Sequence, residues 1–253
     1  MNKKKLLFYE AYEAFYAMAK ESPAFQSFCK DAFGEDFSQD GFSNIEQIDR
    51  ILQYIPKKDI VHILDIGCGN GKMLGYLQKK TKCCVHGFDY SEEAIRTAQA
   101  LFSENAEFRE GIIGQTEYPE ESFDLIISMD TLYFAPDMAA FVAQVKRWLK
   151  KDGVFFVGYQ EGDVMPKTPD GHATVLAKAL KENGMSYEFT DITKETYKLL
   201  KTKRESARKH QAMFEAEGHK QWFDMLIGQT EYINGSFEQF REKMARYIYV
   251  IRK

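Results

Sequence analysis

The run Asp65-Ile66-Gly67-Cys68-Gly69-Asn70-Gly71 has the residue types and spacing to hold a nucleotide-like ligand. Glycines at alternate positions allow a tight turn and leave no Cβ between the backbone and a bound molecule. Where such a turn opens a helix, the first N–H groups lack partners within the helix and can face the ligand. Asp89 closes an apolar run, GFDYS, 22 residues after Gly67. A carboxylate there can accept hydrogen bonds from both hydroxyls of a ribose. The spacing is GxGxG, not the GxGxxG of dinucleotide sites, although a glycine loop alone leaves that ligand open.

These groups need elements to hold them. VHILDIG, ending at Gly67, is a short β-branched run that predicts a buried strand, with a helix over 71–80. CCVHGFDYS predicts a second strand, with a helix over 92–103, and EFREGI a third. FDLIISMD (123–130) and GVFFVGY (153–159) predict the fourth and fifth, flanking a helix over 137–150. Strands alternating with helices imply parallel βαβ units with helices on both faces. Before this core, helices are predicted over 6–20, 22–33 and 45–55, with Gly34 ending the second and Asn44 capping the third. After it come a helix over 173–183, a strand over 187–192, a mostly helical stretch over 194–245 and a closing strand, RYIYVIR. One domain is expected: an N-terminal helical lid (1–55), a ligand-binding core (56–160), and a remainder (161–253) whose helical cap sits over one sheet edge.

With the strands in order, ILDIGCGNG resembles the first motif of class I S-adenosylmethionine-dependent methyltransferases. SFDLIISMDTLYF (122–134) is similar to that family's fourth strand, and LKKDGVFFV (149–157) to the turn into its fifth. The resemblance covers residues 60–160. It implies a Rossmann-like α/β fold with a mostly parallel seven-stranded sheet whose last strand is antiparallel. It implies S-adenosyl-L-methionine as cofactor, S-adenosyl-L-homocysteine as product and no metal. Carried over by position, cofactor contacts fall on Asp65, Gly67, Cys68, Gly69, Gly71, Asp89, Tyr90, Met129 and Asp130. Many relatives have Gly-Asp after strand three, where the Asp contacts adenine. Here Gly111-Ile112 stands instead, so Ile112 and Ile113 are expected to hold the adenine by apolar contact.

FGEDFSQDGFSNIEQIDRIL (33–52) resembles the segment before that motif in phosphoethanolamine- and sarcosine-type small-molecule methyltransferases. The likeness implies Ser38, Gln39 and Gly41 near the methionine end of the cofactor, and Tyr9, Tyr12 and Tyr16 near the methyl acceptor. Methyl transfer from a sulfonium is an in-line displacement in which positioning supplies much of the acceleration. A base is needed only for an acceptor protonated at working pH. Open α/β sheets bind ligands at the carboxyl ends of their strands. Asp130, Tyr133 and Phe134 follow strand four, and Tyr159 and Glu161 follow strand five. Tyr133, Tyr12 and the loop histidine His172 are the candidates for the acceptor side.

The formal charge of -4 lacks the basic excess typical of nucleic-acid binding, although KETYKLLKTKRESARKH (194–210) is locally basic. No apolar stretch approaches a membrane span, and Glu10 and Glu13 break the N-terminal apolar run. Four cysteines without disulfide or metal spacing suggest a reduced, cytoplasmic setting. The 20 Phe and 14 Tyr could line a pocket for an apolar or cationic small molecule. The expected acceptor is therefore a small molecule methylated on N or O, with RNA or protein as the first alternative and a non-catalytic S-adenosylmethionine-binding protein as the second, and the protein a monomer or homodimer.

Overall fold

The computed structural model describes residues 6–253. Seven strands form one sheet: β1 (His62–Ile66), β2 (Cys84–Asp89), β3 (Ala106–Glu110), β4 (Phe123–Met129), β5 (Leu149–Glu161), β6 (Ser186–Asp191) and β7 (Ala245–Arg252). Their spatial order is β3-β2-β1-β4-β5-β7-β6. The first five are parallel, and β7 runs antiparallel to both β5 and β6. Alternation along the central strands divides the core. Leu64, Ile66, Ile126 and Phe155 pack on one face, and Ile63, Leu125, Ile127 and Phe156 on the other. A strand buried on both faces has no polar alternation, which explains the unbroken apolar run Leu125-Ile126-Ile127 at the centre of β4.

The N-terminal segment forms α1 (Tyr9–Glu21), α2 (Pro23–Phe33) and α3 (Ile45–Asp49), and a 3-10 turn continues α3 over Arg50–Tyr54. Ser22 caps α2 by accepting from Phe25 N–H, Gly34 ends it in the left-handed region, and Asn44 caps α3 by accepting from Gln47 N–H. The core helices are α4 (Lys72–Thr81), α5 (Glu92–Leu101), α6 (Met138–Trp148) and α7 (Val175–Glu182). Between β6 and β7 lie α8 (Thr193–Lys209), α9 (Gln211–Ala216), α10 (Lys220–Gln229) and α11 (Phe237–Lys243).

These last helices depart from the expectation of a cap over the sheet edge. They pack chiefly on the N-terminal helices: Phe15, Phe25, Phe28 and Phe33 share an apolar cluster with Phe214 and Phe223. Much of the phenylalanine builds this second core, because neither helical segment can bury its apolar face alone. The Ser22 hydroxyl and Ala24 N–H both donate to Glu217, joining the start of α2 to the end of α9. The basic run of α8 is partly spent inside this unit. Lys203 is buried, Arg204 donates to Thr230, and Lys209 and His210 meet Asp31. Among the described residues no helix is long and apolar enough to cross a membrane.

Candidate active site

β1 and β2 lie side by side with Ile66 opposite Phe88. The glycine loop and the acidic strand end, 22 residues apart in sequence, therefore meet at the carboxyl ends of two neighbouring strands. The loop turns where Gly67 has φ 72° and Gly69 has φ 53°, values a side chain makes costly. Space is equally restrictive. A Cβ on Gly67 would come within 2.7 Å of Thr131, and one on Gly69 would strike the Tyr16 hydroxyl. The N–H groups of Gly67 and Cys68 donate to the Phe88 carbonyl at 2.9 and 3.1 Å. Gly69 N–H donates to Asp89 Oδ2 at 3.0 Å, and Ser91 N–H to Asp89 Oδ1 at 2.9 Å. Each carboxylate oxygen keeps a lone pair for a ligand hydroxyl.

Burial pushes the Asp89 carboxyl up to about 6, against the pull of its backbone donors. Burial and the nearby Asp89 push Asp65 well above the usual carboxylate range. Two buried carboxyls side by side suit a ligand rich in donors or positive charge. The Cys68 thiol is also pushed up, first by burial and then by Asp89 and Asp65, so it stays protonated and is a poor nucleophile.

Gly69→Ala is expected to destabilise the protein by about 1–3 kcal/mol, from backbone strain and overpacking against Tyr16. Urea unfolding checks this. In a Tyr16→Phe background, which removes the struck hydroxyl, the loss should be smaller; an equal loss would mean that the strain is purely in the backbone.

A cavity of about 280 Å³ opens beside the loop. Asp65, Gly67, Cys68 and Gly69 line it, as do Asp89 and Tyr90 after β2 and Ile112 and Ile113 after β3. Met129 and Asp130 from the end of β4, Tyr133 beyond it, and Gln39 and Tyr12 from the N-terminal segment complete the group. Rings of α1 meet rings of the sheet ends, with Tyr12 6.1 Å from Tyr90 and 6.3 Å from Phe134. Burial raises the hydroxyl pKa values of Tyr12, Tyr16 and Tyr133, keeping them neutral donors.

Five expected site residues lie elsewhere, and three of them, Tyr9, Tyr159 and Glu161, line neither this cavity nor its neighbour. Gly71 does not line the cavity. A Cβ there would come within 3.0 Å of the Phe108 ring, so this glycine lets α4 pack against β3. His172 stands at the β6 edge, its Nδ1 3.1 Å from the Tyr187 hydroxyl and its ring 4.8 Å from that of Phe189. The chain after β5 runs outward before α7, which carries this histidine away from the cavity.

A second cavity, of about 320 Å³, shares Tyr12, Asp40, Gly41, Asp130 and Tyr133 with the first. Its remaining wall includes Gln160 near the end of β5, Asp163 just after it, and Trp222, Met225 and Tyr232 from the cap. Asp40 is flanked in sequence by Gln39 and Gly41, and that turn was the one signal that could have found it. Trp222 carries no local signal, since only the packing of the cap brings it here, whereas Gln160 stands on β5 between the two residues expected at the end of that strand.

Asp130 has a partner that the sequence did not suggest. Arg246, on β7 and fully buried, donates from Nε to Asp130 Oδ1 at 2.9 Å and from Nη2 to Oδ2 at 2.6 Å. Its other donors reach the Phe42 carbonyl at 2.6 Å, Gln47 Oε1 at 2.8 Å and Ser43 Oγ at 2.7 Å. All five guanidinium N–H groups are used. Arg246 thus ties the turn before α3 to the ends of β4 and β7, and holds one wall of both cavities.

A glycine loop, an acidic strand end and an apolar slot around one cavity define a Rossmann-like protein built for an adenosyl ligand. Residues 57–226 match the methyltransferase domain family, and the chain belongs to the S-adenosylmethionine-dependent methyltransferases. It is 26% identical over 215 residues to phosphoethanolamine N-methyltransferase 3 of Arabidopsis thaliana, covering 78% of this chain and 43% of that protein. It is 32% identical over 139 residues to a sterol 24-C-methyltransferase of Aspergillus fumigatus, covering 51% of this chain and 35% of that one. The chain thus spans less than half the length of these relatives. Phosphoethanolamine N-methyltransferase 2 of Haemonchus contortus, solved with phosphomonomethylethanolamine and S-adenosylhomocysteine, matches with a TM-score of 0.77 at 17% identity. That match covers 98% of this chain and 60% of that one, and at such identity it is a likeness of fold.

Proposed function

We propose that this protein transfers the methyl group of S-adenosylmethionine to a nitrogen or oxygen of a small molecule. The observation that carries this reading is the pair of adjoining cavities with five residues in common. One cavity has the groups for an adenosyl ligand, and the other gives an acceptor a place beside it. The loop cradle supports the cofactor assignment, since a Cβ at Gly67 or Gly69 would fill it. Asp89 would hold the ribose hydroxyls, and Ile112 and Ile113 would hold the adenine. Asp65 and Gln39 would hold the methionine end. S-adenosylmethionine supplies a sulfonium-bound methyl group that is electrophilic without further activation.

The protein's own contribution is alignment and exclusion of water. Tyr12 and Tyr133 stand on the wall between the two cavities as neutral hydroxyl donors, suited to orient an acceptor rather than to take its proton. Residues of the N-terminal segment line both cavities and the cap walls the second, and keeping water from the site favours the near-attack geometry on which the rate depends. Protein incubated with methyl-labelled S-adenosylmethionine and a fraction of small metabolites should release S-adenosylhomocysteine and place label in a low-molecular-weight product. Label appearing only in RNA or protein would overturn the small-molecule reading.

A further inference from the structure

The first cavity changes character from one end to the other. The carboxyl ends of β1, β2 and β3 stand side by side in that order. Asp65 and the glycine loop line the cavity at the first, Asp89 at the second, and residues 111–113 beyond the third. Residues 134–136, after β4, line it as well. The turns after β3 and β4 close against each other, since a Cβ on Gly114 would come within 3.3 Å of Pro136 Cδ. The side chains they bring to the cavity, Ile112, Ile113, Phe134, Ala135 and Pro136, are all apolar.

The backbone at this end is largely spent on itself. Ile112 N–H donates to Thr116 Oγ1 at 2.8 Å. The Ile112 carbonyl accepts from Gln115 N–H at 3.0 Å and from Thr116 N–H at 2.9 Å, which uses both of its lone pairs. Gln144 Nε2 donates to the Thr116 carbonyl at 3.0 Å and so ties this turn to α6. Opposite, the Phe134 and Ala135 N–H groups donate to the Thr131 and Leu132 carbonyls at 3.1 and 2.9 Å, and Pro136 has no N–H. Tyr90, next to Asp89, turns its hydroxyl to the Leu7 carbonyl at 3.0 Å. Ile112 therefore meets a ligand with its side chain and not with its backbone.

We infer that this end of the first cavity grips a purine by shape and apolar contact without reading its 6-amino group, and that Ile112 sets this tolerance. The inference rests on the proposal that the cavity holds S-adenosylmethionine with its ribose at Asp89. The order of the strands then carries the purine from Asp89 toward the turn after β3. A site that hydrogen-bonds a ligand group rejects the analogue lacking it by orders of magnitude, whereas an apolar pocket distinguishes such analogues weakly. Selectivity for the cofactor accordingly lies in the ribose and methionine ends, and a cofactor without the 6-amino group remains a ligand.

Calorimetry with S-adenosylhomocysteine and three analogues tests this. The 6-deamino and 6-chloro analogues should bind within fivefold of S-adenosylhomocysteine, and the 2′-deoxy analogue, which loses a contact to Asp89, more than tenfold more weakly. A larger loss for the 6-deamino analogue would overturn the inference. So would a 2′-deoxy analogue that binds as well as the parent, because the purine end is located from Asp89. Ile112→Asp sets a carboxylate where the 6-amino group can donate to it. The preference for S-adenosylhomocysteine over its 6-deamino analogue should then rise at least tenfold, a change of ratio that a purely structural effect of the substitution would not produce. Ile112→Asn, with a neutral acceptor, should shift the ratio the same way and serves if the carboxylate disturbs the fold. An unchanged ratio in a variant that still binds S-adenosylhomocysteine would overturn the role of Ile112. Failure of S-adenosylhomocysteine to bind the unaltered protein would instead strike the methyltransferase proposal.

Discussion

Asp89→Ala is expected to weaken S-adenosylhomocysteine binding at least a hundredfold while the fold survives. Asp89 sits where two ribose hydroxyls would donate to one carboxylate. Hydrogen bonds to a charged group contribute about 1.5–3 kcal/mol each, so losing both would amount to about 3–6 kcal/mol, or two to four orders of magnitude in affinity. Calorimetry gives the affinity, and circular dichroism shows whether the sheet persists. Affinity within tenfold of the unaltered protein would remove Asp89 from the site.

The same carboxyl sets a pH dependence. Burial raises it from 3.8 to about 6 in the free protein. Hydroxyl donors favour its charged form, so the bound state lowers the value again. Affinity should therefore be flat above about pH 7 and fall as pH drops through 6, with proton release on binding near pH 6. For folding the sign is opposite to that of a salt-bridged carboxylate. The raised value contributes stability below about pH 4, and this is lost as pH rises through 6. Binding titrations at pH 5, 6 and 8 and in Asp89→Ala separate this group from others, because the variant should show no step near 6.

Arg246→Met is expected to cost about 3–5 kcal/mol of stability, the usual loss when one member of a buried ion pair is removed. At this chain length that is a fall in Tm of about 10 °C. The reason is the number of groups left behind. Asp130 becomes a buried charge without a counterion, and the Phe42 carbonyl, Ser43 and Gln47 each lose a donor. Arg246→Lys should recover little, because one ammonium cannot reach a carboxylate, a carbonyl, an amide and a hydroxyl in separate directions. Asp130→Leu combined with Arg246→Met should lose less than the sum of the single changes, since the double change leaves no orphaned charge. Thermal melts of the three variants check the prediction; additive losses would show that the pair does not act as a unit.

Local pattern determined much of this protein. The apolar runs of β1, β2 and β4 identify buried strands because a strand covered on both faces has no polar alternation. The GxGxG spacing reads as a turn because Gly67 and Gly69 occupy left-handed backbone where a side chain also has no room. Asp89 is legible because parallel pairing of consecutive strands brings their carboxyl ends together. Gly34 and Asn44 mark helix ends through chemistry confined to a single turn.

The tertiary structure alone decided the rest. His172 has the right residue type at the right distance in sequence, yet the direction of the chain after β5 carries it to the β6 edge. The cap leans on α1 and α2 rather than on the sheet edge, because two apolar helical faces far apart in sequence bury each other. Trp222, Gln160 and Arg246 reach the cavities through that packing and through the register of β5 with β7. No periodicity records such contacts, which join residues up to 204 positions apart, as between Arg246 and the Phe42 carbonyl. Sequence specified the glycine loop and Asp89 because one βαβ unit carries both. The acceptor side needs five separated segments, and only the folded chain brings them together.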